Sequence, residues 1–365
     1  MTRKKEIIIA GSGKIGKAIC ALLSLSEDYA ITVADKNSEE VKKISSLFPN
    51  CHGEKLDLAD KREFGRLAKN KEAVISALPY FCNEQLAFLA AENNLHYFDL
   101  TEDVATTERI KKIASSSKTA FVPQCGLAPG YISIAAFDLI KNFSSVETLK
   151  LRVGALPCYP TNRLKYNITW SADGLVNEYC NQCLAIVDNK LSLLEPLEGY
   201  ERITLNGVEY EAFNTSGGAG SLCESLLGKV RNLNYKTLRY PGHRDLVAFL
   251  LDDLKFKNNK SALVEIFNKN IPTTEDDRCV IYLEATGIVD GKLQTIGRIN
   301  EIIVTQIAGI KLTAIQLATA AGVCGVLNIF LKNKSKFLGG VIQNESFALD
   351  QFLADEFGKF YMNKN

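Results

Sequence analysis

The glycine run Gly11-Ser12-Gly13-Lys14-Ile15-Gly16 constrains this chain more than any other stretch. It stands between a short apolar run, EIIIA, and a helix-patterned segment, KIGKAICALL, so it occupies the turn from a first strand into a first helix. In that context each glycine has its own task. Gly11 permits the tight turn, Gly13 lets a pyrophosphate approach the backbone, and Gly16 lets the helix pack close to the strand. The first turn of the helix, at Lys14 and Ile15, then faces the anion. The next apolar run, YAITVAD, ends in Asp35, whose carboxylate suits both ribose hydroxyls and repels a 2′-phosphate. NAD is therefore the expected cofactor, and Lys36 beside Asp35 leaves NADP open. Asp57 and Leu58, after the third strand, are placed to touch the adenine, or else to serve as a helix cap and a core leucine. Ala77, Leu78 and Pro79 end the fourth strand, on the side of the nicotinamide half.

Short apolar runs continue to alternate with amphipathic stretches as far as Pro123, in EAVISALP, LHYFDLT and KTAFVPQ. This repeated strand–helix texture predicts a Rossmann domain, a doubly wound parallel sheet with helices on both faces. After about Gly130 the texture changes. Leu149, Leu151, Val153 and Ala155 alternate strictly, and Asn206-Gly207 and Asp290-Gly291 lie between alternating runs as hairpin turns. The chain thus divides into a nucleotide-binding domain over 1–127, an α+β substrate domain with a mixed or antiparallel sheet over 128–310, and a helical segment over 311–365.

Charge and cysteine usage narrow the partners. With 43 Lys and Arg against 42 Asp and Glu, the net charge is +1. No global field draws nucleic acid or an anionic membrane. The ten cysteines are irregularly spaced in a long chain, which fits reduced thiols and a cytoplasmic setting. The apolar stretch LTAIQLATAAGVCGVLNIFL is interrupted by Thr, Gln and Asn, so it is read as a buried helix and no membrane span is expected. Cys180-Asn181-Gln182-Cys183 has no second CxxC or His pair to complete a tetrahedral site, so no metal is expected.

Further segments carry a family resemblance. Cys125-Gly126-Leu127-Ala128-Pro129-Gly130 resembles the turn by which saccharopine dehydrogenases leave their nucleotide domain, and Gly126 is read with the cofactor site. The stretch from Asn162 to Trp170-Ser171 resembles their segment ending in Trp-Ser. GLVNEY, AFNTSGG, KTLRYPGH and GGVIQNESFALDQFLADEFGKFY look still more like the lysine 6-dehydrogenase branch. Two departures point the same way. Ala128 stands where glutamate-forming enzymes usually carry Asp, and Gly242-His243 replaces their Gly-Phe. The resemblance implies an oxidoreductase acting on a C–N bond of an amino acid, lysine 6-dehydrogenase-like by preference. It implies further that the C-terminal segment packs on the nucleotide domain, and that the substrate domain builds a homodimer or higher homo-oligomer. Glutamate-forming saccharopine dehydrogenase and a polyamine-pathway imine reductase are the enzyme alternatives. A non-catalytic nucleotide-binding sensor is the alternative of another class, because a Rossmann fold alone does not imply catalysis.

Such chemistry needs a positioned amine, a managed proton and a gripped carboxylate. Tyr80 follows the fourth strand and Asp99 ends the fifth, both at the carboxyl edge of the sheet. Asp99 is read as a base or ammonium ligand, or else as the cap of the helix after it. His243 titrates near neutrality as an ordinary imidazole and is read as a proton relay or as a group that polarises the imine, or else as a cap. Arg239 is the first candidate for the substrate carboxylate, followed by Arg163 and Lys165, because Arg grips a carboxylate with two parallel hydrogen bonds. All three have surface charge as the plain alternative. Trp170 walls the pocket or packs in the core.

Overall fold

The computed structural model describes residues 3–337 and 339–362. They fall into two compact units. The first holds the chain up to Tyr131 together with Thr305–Leu312 and Gln316–Phe360. The second holds Ile132–Val304, Thr313–Ile315 and Tyr361.

The sheet of the first unit contains β1 (Lys5–Ala10), β2 (Tyr29–Asp35), β3 (Cys51–Lys55), β4 (Ala73–Ser76), β5 (His96–Phe98), β6 (Ala120–Val122) and the late strand Gly340–Val341. Every pairing is parallel, and the order across the sheet is Gly340–Val341, β6, β5, β4, β1, β2, β3. A parallel sheet covered on both faces needs strands apolar on both sides, which is why Ile7, Ile8 and Ile9 are all fully buried. Strand order reverses between β1 and β4, and the carboxyl ends of strands flanking such a reversal are where open α/β folds take their ligands.

The helix Ala314–Lys332 is long and apolar enough to cross a membrane by length and composition, despite the Thr, Gln and Asn within it. Most of it is buried, and its polar residue Asn328 is a core hub. The Asn328 Oδ1 accepts from the Tyr29 hydroxyl at 2.8 Å and Lys5 Nζ at 3.2 Å. Its Nδ2 donates to Asp355 at 2.7 Å and Glu356 at 3.0 Å.

The second unit is built on a mixed sheet of β7 (Ser145–Pro157), β8 (Cys183–Val187), β9 (Lys190–Leu194), β10 (Glu201–Leu205), β11 (Val208–Asn214), β12 (Val230–Arg239), β13 (Asp277–Val289) and β14 (Lys292–Ile303). The order is β10, β11, β12, β7, β13, β14, with β8 pairing β12 and β9. Only β7 and β12 pair in parallel. Both expected hairpin turns form with left-handed backbone, Asn206 and Gly207 at φ 49° and 78° and Asp290 and Gly291 at φ 50° and 74°.

The unit boundaries depart from the division at 127 and 311. The first unit runs on to Tyr131 because its N–H bonds the Gly126 carbonyl at 2.9 Å, closing the Cys125–Gly130 turn on itself. The C-terminal segment is shared. Asp277, at the start of β13, accepts from the backbone N–H groups of Ala314 at 2.5 Å and Ile315 at 3.1 Å, which keeps the start of the long helix with the second unit.

Candidate functional site

At the end of β1 the backbone turns on Gly11 with φ +111°, where a Cβ would lie 2.6 Å from the Ala77 carbonyl oxygen. A Cβ on Gly16 would fall 1.9 Å from the Gly11 carbonyl oxygen. Backbone packing therefore demands glycine at both positions. Gly13 is different. Nothing lies within 4 Å of where its Cβ would project, and its φ of −69° suits any residue. The bare space beside Gly13 fits a pyrophosphate brought against the backbone. The helix that begins at the exposed Lys14 and half-buried Ile15 has no side-chain cap and no acid in its first turn. Its leading N–H groups thus remain available to an anion.

Asp35 has a second duty that its position in sequence did not disclose. Its Oδ2 accepts from Ser12 N at 2.7 Å and its Oδ1 from Asn37 N at 2.9 Å, so the carboxylate ties the glycine-rich turn to the end of β2. Each oxygen keeps acceptor capacity for a ribose hydroxyl. Beside it opens a cleft of about 940 Å³ lined by Lys36, Lys55, Asp57, Lys61 and Arg62 among others. The cap role of Asp57 goes to its neighbour Asp60, whereas Leu58 packs partly buried against the core of the unit. At the start of the helix Lys61–Ala68, Asp60 accepts from Arg62 N and Glu63 N, while Asp57 accepts from Ala59 N at 3.0 Å. Ala77 and Leu78 are half-buried and Pro79 is exposed, with Ala77 N bonded to the Ala10 carbonyl at 2.8 Å. Gly126 lies under the long helix, where a Cβ on Gly322 would meet the Gly126 carbonyl oxygen at 2.5 Å.

The carboxyl edge of the same sheet carries Tyr80, Asp99 and Glu102. Tyr80 opens a single 3₁₀ turn, Tyr80–Cys82, with its ring edge-on to Phe81. Asp99 is not the cap of the following helix: that helix starts at Val104 and is capped by Asp103, which accepts from Thr106 N. Instead Asp99 is wholly buried, and its Oδ1 accepts from Thr101 N at 3.0 Å and Gln124 N at 2.8 Å, pinning the end of β5 to the segment after β6. Burial pushes its carboxyl up to about 6. Glu102 was not singled out from sequence. Burial, with the negative neighbours Asp103 and Asp99, pushes it up to about 7. A carboxyl that changes charge near neutrality at a ligand edge suits proton transfer, and its only sequence signal is its place just beyond β5.

In the second unit the sequence candidates Arg239 and His243 come together around a residue that was not one of them, Tyr179. Ser171 of the Trp-Ser pair caps the helix Ala172–Cys180 by accepting from Gly174 N at 3.2 Å. The helix buries Ala172, Leu175, Val176 and Tyr179 along one face, as their spacing requires. Tyr179 then meets Arg239, the last residue of β12, and His243, the first residue of the helix His243–Ala248. Arg239 Nε donates to the Tyr179 hydroxyl oxygen at 2.9 Å, and the Tyr179 hydroxyl lies 2.9 Å from His243 Nε2. The guanidinium also stands over the Tyr166 and Tyr179 rings, at 5.1 Å and 5.8 Å.

The turn between Arg239 and His243 is held from two sides. Glu211, buried on β11, accepts from Gly242 N at 2.7 Å and Arg244 N at 2.6 Å, and Lys165 Nζ donates to the Pro241 carbonyl at 2.9 Å. Gly242 supplies the φ of 98° that starts the helix, so His243 is not its cap. The expectation that His243 titrates near neutrality is corrected here. It is buried, and desolvation together with the Arg239 charge holds its imidazole down at about 3. Arg239 makes no ion pair among the described residues although only 3% exposed, and Nη1 donates to the Leu238 carbonyl at 2.8 Å. Arg163 is exposed, and Trp170 packs partly buried against the cluster that contains Tyr166, Tyr179 and Phe213.

Two family models cover this chain: the saccharopine dehydrogenase NADP binding domain over residues 7–122 and the saccharopine dehydrogenase C-terminal domain over residues 126–350. Among curated proteins it is similar to the mitochondrial alpha-aminoadipic semialdehyde synthases of Mus musculus, 20% identical over 224 residues, and Rattus norvegicus, 18% identical over 223. Each match covers 57% of this chain but 24% of the relative, so the chain spans about a quarter of their length. Among solved structures, apo saccharopine dehydrogenase (L-Glu forming) from Saccharomyces cerevisiae superposes with a TM-score of 0.75 at 14% identity, covering 98% of this chain and 96% of that one. C. glutamicum DAP dehydrogenase in complex with DAP gives a TM-score of 0.50 at 11% identity, covering 96% of both chains. At these identities the superpositions speak for the fold. With both of its family models matched in order, and a glycine-rich turn shaped for a nicotinamide dinucleotide, this chain belongs to the saccharopine dehydrogenase family of oxidoreductases.

Proposed function

We propose that this chain is an NAD(P)-dependent dehydrogenase that oxidises, or in reverse forms, a C–N bond of an amino acid, and that its substrate is a free basic amino acid such as lysine. Arg239 carries this reading. The buried guanidinium makes no ion pair within 4 Å among the described residues; the buried Glu178 acts on it from further off, and a substrate carboxylate would supply the direct bidentate partner. The bound nicotinamide supplies the hydride acceptor. The proton that the amine must lose needs a group that titrates near neutrality. His243, held neutral at about 3, does not have that property.

Free lysine carries one carboxylate, whereas saccharopine carries several, each of which would need a cation if buried. The sequence offered Arg163 and Lys165 as extra anchors. Arg163 and Lys165 are both exposed, so neither is buried beside Arg239 as an anchor for a second carboxylate, which favours the single-carboxylate substrate. We extend the proposal to a homo-oligomer built through the second unit. The test of substrate is NAD and NADP reduction followed by absorbance with lysine, saccharopine and ornithine, comparing kcat/KM at one pH. A higher value for saccharopine overturns the lysine assignment. Arg239→Lys, which keeps the charge but loses the fork, should lower kcat/KM about tenfold or more and leave cofactor affinity intact. An unchanged kcat/KM removes Arg239 from the substrate site.

A further inference from the structure

The protons in the Arg239 cluster are fixed by donor and acceptor type. His243 Nδ1 lies 2.8 Å from the Leu164 carbonyl oxygen, which only accepts, so Nδ1 carries the ring proton. In the neutral ring Nε2 is then an acceptor, and the Tyr179 hydroxyl 2.9 Å away is its donor. Tyr179 has a single proton to give. Its contact with Arg239 Nε, 2.9 Å long, therefore runs the other way, with Arg239 donating into the phenol oxygen. A protonated His243 would strand the Tyr179 hydroxyl hydrogen in a buried site already shared with the Arg239 charge, and burial opposes the imidazolium as well.

We propose that Tyr179 and His243 are positioning residues that fix the Arg239 guanidinium, so that its terminal N–H groups are presented to the substrate carboxylate. The direction of the chain carries the inference: Leu164 carbonyl, His243, Tyr179, Arg239, each link allowing one orientation of the next. Nε is tied to Tyr179 and Nη1 to the Leu238 carbonyl, while Nη2 forms no hydrogen bond among the described residues. The side of the fork formed by Nη1 and Nη2 is left to accept an anion. The rings of Tyr166, Tyr179 and Phe213 around His243 keep water from competing for Nε2. The sequence candidate for a proton relay thus becomes a fixed acceptor. This inference rests on the reading that Arg239 receives the substrate carboxylate.

The test joins kinetics to a direct view of the ring. Tyr179→Phe and Arg239→Lys are made singly and together, and KM and kcat are measured with whichever of L-lysine and saccharopine is oxidised faster. Tyr179→Phe should raise KM about ten- to hundredfold with a smaller change in kcat, the cost of freeing a charged hydrogen-bonded group. The double variant should lose little beyond Arg239→Lys, because both act on one contact. His243→Gln, which still offers an acceptor to Tyr179, should recover most of the KM that His243→Leu loses. In uniformly ¹⁵N-labelled protein the His243 imidazole should show a proton on Nδ1 and no titration between pH 5 and 8. If Arg239→Lys leaves KM unchanged, the carboxylate reading itself fails. If Arg239→Lys raises KM but Tyr179→Phe does not, or the two effects add in full, the positioning inference fails alone. A proton on Nε2, or a His243 titration near pH 6.5, also overturns it.

Discussion

Gly13 and Gly16 lie three residues apart in one turn, yet their substitution should fail in opposite ways. A Cβ on Gly16 would sit 1.9 Å from the Gly11 carbonyl oxygen, so Gly16→Ala forces the first helix away from β1. Overpacking of that kind costs about 1–3 kcal/mol, and more where backbone rather than side chain must yield. For an enzyme of this size that lowers the Tm by several degrees, because about 1 kcal/mol shifts a domain of 150–250 residues by roughly 2–4 °C. Gly13 has open space around it and an extended ψ of −172°, as a helix N-cap should. Gly13→Asp places a favoured capping carboxylate there, so the Tm should hold or rise by the equivalent of about 0.5 kcal/mol. That carboxylate also faces the place reserved for the pyrophosphate. Two unit charges at roughly 4 Å and an effective dielectric of about 20 repel by about 4 kcal/mol, close to a thousandfold in affinity. The assay pairs thermal melting by circular dichroism with titration of NADH and NADPH fluorescence. The reasoning fails if Gly13→Asp melts early, or if it binds both dinucleotides as wild type does. It fails equally if Gly16→Ala has an unchanged Tm.

Asp35→Ser should weaken NAD binding and narrow the preference over NADP, since it removes a negative charge beside Lys36; tighter NADP than NAD binding in the wild type would refute the preference. Because the same carboxylate holds Ser12 N, the variant should also loosen the glycine-rich turn, read as faster amide exchange at Ser12. Asn328→Leu removes the partner of Tyr29, Asp355 and Glu356 inside the first unit, and chemical denaturation should register a loss of roughly 2–4 kcal/mol. His243 is held at about 3 in the folded chain, below the ordinary value near 6.5. Between those values the unfolded chain binds more protons, so its contribution to stability is complete above about pH 6.5 and is lost as pH falls toward 3. His243→Gln should therefore lose less stability than wild type between pH 7 and pH 5, by about 2 kcal/mol if the full shift is realised; equal losses in the two proteins would contradict it.

The first unit was the more legible part of the sequence, for a physical reason. A glycine-rich turn, the strand before it, the helix after it and the acid ending β2 are all local in the chain, and their chemistry follows from backbone geometry that those residues alone impose. The two hairpin turns of the second unit were legible on the same ground, since Asn-Gly and Asp-Gly encode a left-handed turn within two residues. Tertiary structure decided the rest. Asp99 in sequence was a base or a cap; only the structure gave the cap to Asp103 and showed the Asp99 carboxylate tied to the backbone of Thr101 and Gln124. His243 in sequence was an imidazole with an ordinary pKa, and only the desolvating rings and the Arg239 charge made it a neutral acceptor. Tyr179 was not singled out in the sequence, because nothing local marks a phenol whose partners stand 60 and 64 residues away along the chain. Propensity and motif act over a few residues, whereas pKa and hydrogen-bond direction are set by whichever groups folding brings within about 3 Å.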